Sequence, residues 1–257
     1  MILLEVPKLT LSTEIIIPIA ISWSSMIVSA LLVWLFARWL YFTHEVTGAL
    51  MLVTVLTNST FVGIPIINAY LGSKSLPFII VYDQIGTFLA LSTYGTFIVA
   101  FYAHRTKVNF SMILIKVVSF PPFISLVVAM MISGHAFSSD ITSFLEMLSS
   151  LIVPLALFAV GLQLQFRLPR HELQAFSLSL VIKLIIAPII AIITAYTFGW
   201  EGLATQVSIM EAGMPPMITA AAMASMVGLA PRLCSAIVGY GILFSFATTA
   251  LLFIAIA

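Results

Sequence analysis

Apolar runs follow one another along the whole chain. Short polar or turn-forming clusters separate them: THE at 43–45, GSKS at 72–75, HRTK at 104–107, SSD at 138–140, RLPR at 167–170, GWE at 199–201 and APR at 230–232. A helix needs about 20 predominantly apolar residues to cross the hydrocarbon core of a bilayer. Cutting at the clusters predicts eight such spans, over 14–41, 46–72, 76–103, 110–133, 140–166, 171–199, 201–228 and 232–257. Alternation of the spans then sorts the basic residues by side. Arg38, Arg105, Lys107, Arg167, Arg170 and Arg232 fall on one face, and Lys8 and Lys74 on the other. Basic loops stay in the cytoplasm, so both termini are predicted outside.

Two spans depart from a plain apolar pattern. The second reads TVLTNSTFVGIPIINAYLG over 54–72, and the seventh reads QVSIMEAGMPPMITAAAMAS over 206–225. Each has polar residues, a glycine two positions before a proline (Gly63 and Pro65; Gly213 and Pro215, followed by Pro216), and a run that ends in small residues. Each is preceded by a long apolar span and followed by a similar one: VYDQIGTFLALST at 81–93 resembles AIVGYGILFSFATT at 236–249. The matched blocks begin at the first and the sixth span and so enter the membrane from opposite sides. That predicts an inverted repeat, and paired Gly/Pro-interrupted spans in inverted halves point to a transporter binding site. Proline removes a backbone donor and clashes with the preceding turn. Backbone groups left unpaired in lipid are costly, so such a break must be enclosed by protein or line a wet cavity. A broken helix offers a positive half-helix end to an anion and bare carbonyls to a cation. The matched breaks are expected to meet, with Pro65 near Pro215 and Pro216.

Composition fixes the class. Of 257 residues 62% are hydrophobic and 7% charged, with mean hydropathy +1.21. Soluble domains carry about 25% charged residues, so the chain is an all-α integral membrane protein with the lipid bilayer as its surroundings. A net charge of +1 gives no reason to expect nucleic acid as a partner. The single cysteine, Cys234, excludes an intramolecular disulfide. The N-terminus has neither a basic leader nor a small-residue cleavage site and does not read as a signal peptide. The four histidines fall in loops or at span ends, so no metal site is expected apart from sodium at Glu211. No nucleophile–base pairing or phosphate-cradling loop suggests an enzyme.

Five ionisable residues lie within spans: Asp83, Lys116, Glu146, Lys183 and Glu211. Charge inside a membrane is expensive and marks functional sites. Lys116 and Glu146 lie near span ends, where a long side chain reaches the interface. Lys183 lies near the middle of its span and needs a partner, for which Asp83 and Glu211 are the available carboxylates. Glu211 stands four residues before Pro215, where it is expected to hold sodium or carry a proton. Glu211, Asp83 and Lys183 are therefore the candidates for ion or proton coupling. No cofactor is expected beyond Na+ or H+ as the coupling ion. Polar and breaking residues around the two interruptions form the candidate substrate site: Asn58, Ser59, Thr60, Gly63, Pro65, Asn68, Gly213, Pro215, Pro216 and Thr219.

These residues also carry a resemblance. NSTFVGIPIINAYLG at 58–72 resembles the N-x-x-F-x-G-x-P stretch of the auxin efflux carrier family, within the superfamily of bile-acid/sodium symporters and auxin carriers. MPPMITAAAMA at 214–224 resembles that family's second crossover, and PLALFAVGLQL at 154–164 resembles its P-L-A-L-x-x-x-G-x-x-L span. The resemblance covers nearly the whole chain. It implies a ten-helix fold of two inverted five-helix repeats whose broken helices cross near the membrane centre. This chain would lack the first two helices, leaving 1–107 as an incomplete three-span repeat with its crossover near Pro65. Residues 108–257 would form the five-span second repeat, with its crossover near Pro215. The implied function is a multi-pass secondary active transporter (a permease or efflux carrier) for a small organic anion such as a carboxylate, coupled to protons or sodium. A bacterial inner (plasma) membrane is the expected location, with a homodimer as an option. Two alternatives are a sodium-coupled symporter closer to the bile-acid branch and a truncated, non-transporting protein that keeps the fold.

Overall fold

The computed structural model describes residues 2–5, 13–102, 121–132, 137–151, 154–155, 158 and 172–256. Among them, four helices are long and apolar enough to cross a membrane: α1 (Ile16–Trp39), α4 (Ser73–Tyr102), α7 (Leu173–Phe198) and α10 (Pro231–Ile256). They correspond to the predicted first, third, sixth and eighth spans. The second span is split into α2 (His44–Val53) and α3 (Ser59–Leu71). The seventh is split into α8 (Leu203–Ala212) and α9 (Ile218–Met226). Of the fourth and fifth spans the structure describes α5 (Pro121–Met131) and α6 (Ser139–Ser150). Lys8, His104, Arg105, Lys107, Lys116, His135, Arg167, Arg170, His171 and most of the 154–164 motif lie outside the described residues.

Local chemistry sets the ends of these helices. The Thr43 side chain accepts the Val46 N–H at 3.3 Å and caps α2, with Glu45 in the first turn. Gly199, in the left-handed region at φ 66, ends α7 and donates its N–H to the Tyr196 carbonyl at 3.2 Å. Inside α7, Pro188 cannot donate to the preceding turn, and the helix widens into a π turn over Ile182–Ile186 just before it. Similar wide turns occupy Ser59–Gly63 at the start of α3 and Tyr82–Phe88 and Leu91–Gly95 within α4.

The two interruptions lie against each other. Thr57 and Pro216 form an antiparallel bridge. The Asn58 N–H donates to the Pro215 carbonyl at 2.9 Å, and the Met217 N–H donates to the Leu56 carbonyl at 3.0 Å. Each break thus satisfies backbone groups that the other leaves bare, which is the condition for irregular backbone at membrane depth. On its other side Pro216 is held by α10, where a Cβ at Gly241 would stand 2.7 Å from the proline Cδ. The position of the first interruption differs from the expectation. Helix stops after Val53 and the chain crosses residues 54–58, whereas Gly63 and Pro65 lie beyond it. Pro65 lies inside α3, at the junction where the wide turn Ser59–Gly63 passes into the regular helix Ile64–Leu71. The backbone contacts to Pro215, Pro216 and Met217 come from Asn58, Thr57 and Leu56.

Span ends gather at two poles. At one, Gly48 of α2 packs between Tyr102 at the end of α4 and Leu229 before α10, and the His44 and Tyr102 rings lie 4.5 Å apart. At the other, Gln206 of α8 donates to the Ile256 carbonyl at 3.2 Å, and the tilted rings of Tyr70 and Phe253 lie 4.7 Å apart. Ile27, Leu31 and Leu35 of α1 and Phe244, Leu251 and Ile254 of α10 are exposed apolar side chains, as lipid-facing helices require.

Candidate functional site

Around the paired interruptions the core turns polar. Asp83, Lys183 and Glu211 are the charged side chains among the buried described residues, at 8%, 2% and 0% exposure. They come from three elements: Asp83 from the first wide turn of α4, Lys183 from that of α7, and Glu211 from the last turn of α8.

Asp83 is held by neutral donors. Its Oδ1 accepts from the hydroxyls of Ser59 and, at 2.7 Å, Thr60; its Oδ2 accepts from the Gln84 amide at 2.6 Å. Two of the residues expected to meet substrate thus serve to tie α3 to α4. Among the described residues Lys183 bonds to no carboxylate. Its ammonium donates to the Thr57 hydroxyl at 2.5 Å, at the bridge itself. One turn away on the same face of α7, the Ser179 and Thr54 hydroxyls share a hydrogen bond at 2.7 Å. Through these two contacts α7 grips the first interruption along its length.

Glu211 is the unbalanced member. It is fully buried, and neither carboxylate oxygen has a hydrogen-bond partner among the described residues. Lys183 and Asp83 both lie within electrostatic range of it, with opposite effect. Its carboxylate faces Gly63 of α3, where an added Cβ would stand 2.6 Å from Oε1 and 2.9 Å from Oε2. The glycine read from sequence as part of a break serves here to admit a carboxylate to the α3 backbone. Buried polar atoms nearly always have partners, and among the described residues the Glu211 oxygens are an exception.

The remaining candidates divide. Asn58 is buried, and its Nδ2 has no hydrogen-bond partner among the described residues. Gly213 caps α8 and packs so closely on Leu252 that an added Cβ would lie 2.9 Å from its Cδ2. Pro215 and Pro216 form the second interruption. Asn68 lies farther along α3, half-buried, and its Oδ1 is without a partner among the described residues. Thr219 is exposed on α9 and does not face the cluster. Glu146 is exposed on α6. The sequence reading missed Thr57, the acceptor for Lys183, although it directly precedes Asn58 in the same polar run. Beside the first interruption, an apolar cavity of about 260 Å³ is lined by Trp23, Met26, Trp34, Met51, Val55 and Tyr94 among others; it offers an anion nothing to bind.

The chain matches the family described as membrane transport protein over residues 5–253. An uncharacterized transporter of Methanothermobacter thermautotrophicus is 30% identical over 179 residues, covering 69% of this chain and 58% of the relative. An uncharacterized transporter of Methanocaldococcus jannaschii is 28% identical over 177 residues, covering 66% of this chain and 56% of the relative. The match therefore spans somewhat over half the length of each of these relatives.

Proposed function

The chain belongs to the membrane transport protein family, the auxin efflux carriers, and from that premise we propose a secondary active transporter that moves a small organic anion by alternating access. The observation that carries the reading is the backbone bridge between the two interruptions, set among three buried charges. In this reading the chain comprises an incomplete first inverted repeat of three spans, 1–107, and a five-span second repeat, 108–257, whose interrupted helices cross at Thr57 and Pro216. The positive N-terminal ends of α3 and α9 and the free Asn58 amide favour the substrate carboxylate. Glu211, with Asp83 and Lys183 beside it, carries the coupling proton or sodium. The setting is a bacterial inner (plasma) membrane with both termini outside, which the bias of basic residues supports.

Uptake of radiolabelled mono- and dicarboxylates into proteoliposomes, under an imposed pH or Na+ gradient, tests this. Uptake that follows the gradient and collapses with an ionophore is the expected result. Folded protein that gives no gradient-dependent uptake would overturn the reading in favour of a non-transporting membrane protein. A second reading, a sodium-coupled symporter closer to the bile-acid branch, is favoured by the two unpartnered oxygens of Glu211. Strict dependence of uptake on Na+ would select it.

A further inference from the structure

The apolar cavity beside the first interruption has no part in holding an anion or a coupling ion. One wall of its 260 Å³ is a single face of α1, from Trp23 through Met26 and Ala30 to Trp34, at the three- and four-residue spacing that brings side chains together on a helix. Met51 and Val55 also line it, so the cavity reaches the interruption itself, and Tyr94 contributes from α4. The polar atoms of its rings are already engaged. Trp23 Nε1 donates to the Ile85 carbonyl at 3.2 Å, and the Tyr94 hydroxyl donates to the Met51 carbonyl at 2.9 Å. The lining left over is apolar, and such cavities stay dry. Ile27, Leu31 and Trp34, which also line it, are 54%, 54% and 40% exposed, so the cavity opens on the lipid side.

Depth and charge identify the occupant. The stretch of α1 from Trp23 to Trp34 rises about 16 Å at 1.5 Å per residue, and half of a hydrocarbon core is about 15 Å. The cavity is thus as deep as one leaflet. Arg38 stands one turn beyond Trp34, exposed, with its guanidinium 5.0 Å from the centre of that ring. Trp39 and Tyr41 beside it are 71% and 92% exposed, and exposed aromatics of this kind mark the headgroup level. We propose that the cavity seats one acyl chain of an anionic phospholipid from the leaflet at this pole, with the headgroup phosphate on Arg38. The planar fork of an arginine matches a phosphate, and a zwitterionic headgroup would bring a cation of its own to the same place. A chain moving from bulk lipid into the cavity gains no hydrophobic energy, so Arg38 sets the preference for the lipid. A helix of a second copy, about 10 Å across and two leaflets long, fits neither the volume nor the depth. Seated against Met51 and Val55, the chain braces the first interruption from its lipid side. The site rests on the packing of α1, α2 and α4 and stands whether or not the chain transports.

The test reads chain contact by fluorescence. In the whole purified protein, Trp39→Phe and Trp200→Phe leave Trp23 and Trp34, both on the cavity, as the emitting tryptophans. Phosphatidylglycerol brominated at mid-chain, which quenches tryptophan on contact, is titrated into the protein in detergent micelles. Phosphatidylcholine brominated in the same way is compared with it. Quenching is expected to saturate at one phospholipid per protein, with phosphatidylglycerol the tighter. Arg38→Gln should leave phosphatidylcholine unchanged and weaken phosphatidylglycerol about fivefold, the worth of one basic side chain at an anionic surface. Ala30→Leu fills the cavity and should weaken both lipids alike. Quenching that never saturates, or that Ala30→Leu leaves unchanged, would reduce the contact to ordinary bulk lipid and overturn the proposal. So would equal affinity for the two lipids, or an Arg38→Gln protein that still prefers phosphatidylglycerol, since the phosphate would then lie elsewhere. A dimer by mass whose tryptophans resist quenching would give the cavity to a second copy instead. Should Ala30→Leu fail to fold, Arg38→Gln, at an exposed position, decides by lipid preference alone. Binding is read without a gradient, so an absence of uptake in proteoliposomes leaves this result standing.

Discussion

Gly63 of α3 lies directly against the Glu211 carboxylate of α8, so closely that a methyl group at position 63 would stand 2.6 Å from Oε1. The contact joins the two interrupted helices a few residues from their backbone bridge, and it has no room for growth. Gly63→Ala is expected to lower stability by about 1–3 kcal/mol, the usual cost of overpacking. Shortening the acid relieves the clash: Glu211→Asp withdraws the carboxylate by one methylene, and Gly63→Ala/Glu211→Asp is expected to recover most of the loss. Thermal unfolding in detergent measures both. A double variant no more stable than Gly63→Ala would show that the methyl is accommodated elsewhere.

The Lys183–Thr57 hydrogen bond can be probed without changing shape. Thr57→Val removes the acceptor and leaves an ammonium stranded, whereas Thr57→Ser keeps the hydroxyl. A hydrogen bond to a charged group is worth about 1.5–3 kcal/mol, so Thr57→Val should lose that amount and Thr57→Ser little. Residues in one network do not contribute additively. Lys183→Met should therefore cost less in the Thr57→Val background than alone. Fully additive losses would break the link between these two side chains.

Much of this arrangement is legible in the chain, for physical reasons that differ by residue. α1, α4, α7 and α10 are continuous apolar runs, and a membrane demands just that of a crossing helix. The second interruption is announced by Pro215 and Pro216, which in succession withhold two donors that a helix needs. The first is harder to place, because Pro65 lies within α3, where the wide turn Ser59–Gly63 precedes it, and the actual break, at 54–58, contains no proline. Glu211, Asp83 and Lys183 stand out as charges in apolar spans, but their partners do not. That Lys183 reaches Thr57, and that Ser59 and Thr60 turn to Asp83, depends on how three distant elements pack. Thr219 belongs to the same polar neighbourhood in sequence, yet each helical residue turns about 100° from the last, and α9 presents it outward.

Sidedness has its own test at described positions. Arg38 lies at the pole where α1 and α4 end, with its guanidinium 5.0 Å over the Trp34 ring; Lys74 opens α4 at the opposite pole. With Cys234 replaced by alanine, a cysteine at Lys74 is expected to react with an impermeant thiol reagent in intact cells. Cysteines at Arg38 and Arg232 are expected to react only after permeabilisation. Labelling of Arg38→Cys in intact cells would reverse the orientation.

The bridge between the interruptions makes a sharper prediction about movement. The bonds from Asn58 to Pro215 and from Met217 to Leu56 flank Thr57 and Pro216, which makes them a non-hydrogen-bonded antiparallel pair. Such pairs hold their Cα atoms about 4.5 Å apart, within the span a disulfide bridges. Thr57→Cys/Pro216→Cys, in a background where the buried Cys234 is alanine, should therefore crosslink on mild oxidation. The crosslink is read as a mobility shift reversed by reductant. Failure to crosslink in folded protein would mean that the two breaks do not pair as described. If transport requires the interrupted helices to part or slide at this point, the oxidised protein should lose gradient-driven uptake, and reductant should restore it to the level of unoxidised protein. Full uptake by the crosslinked protein would instead make the bridge a fixed pivot. Access would then alternate by motion of the long helices α1, α4, α7 and α10 around it, with Glu211, Lys183 and Asp83 keeping their places beside a joint that never opens.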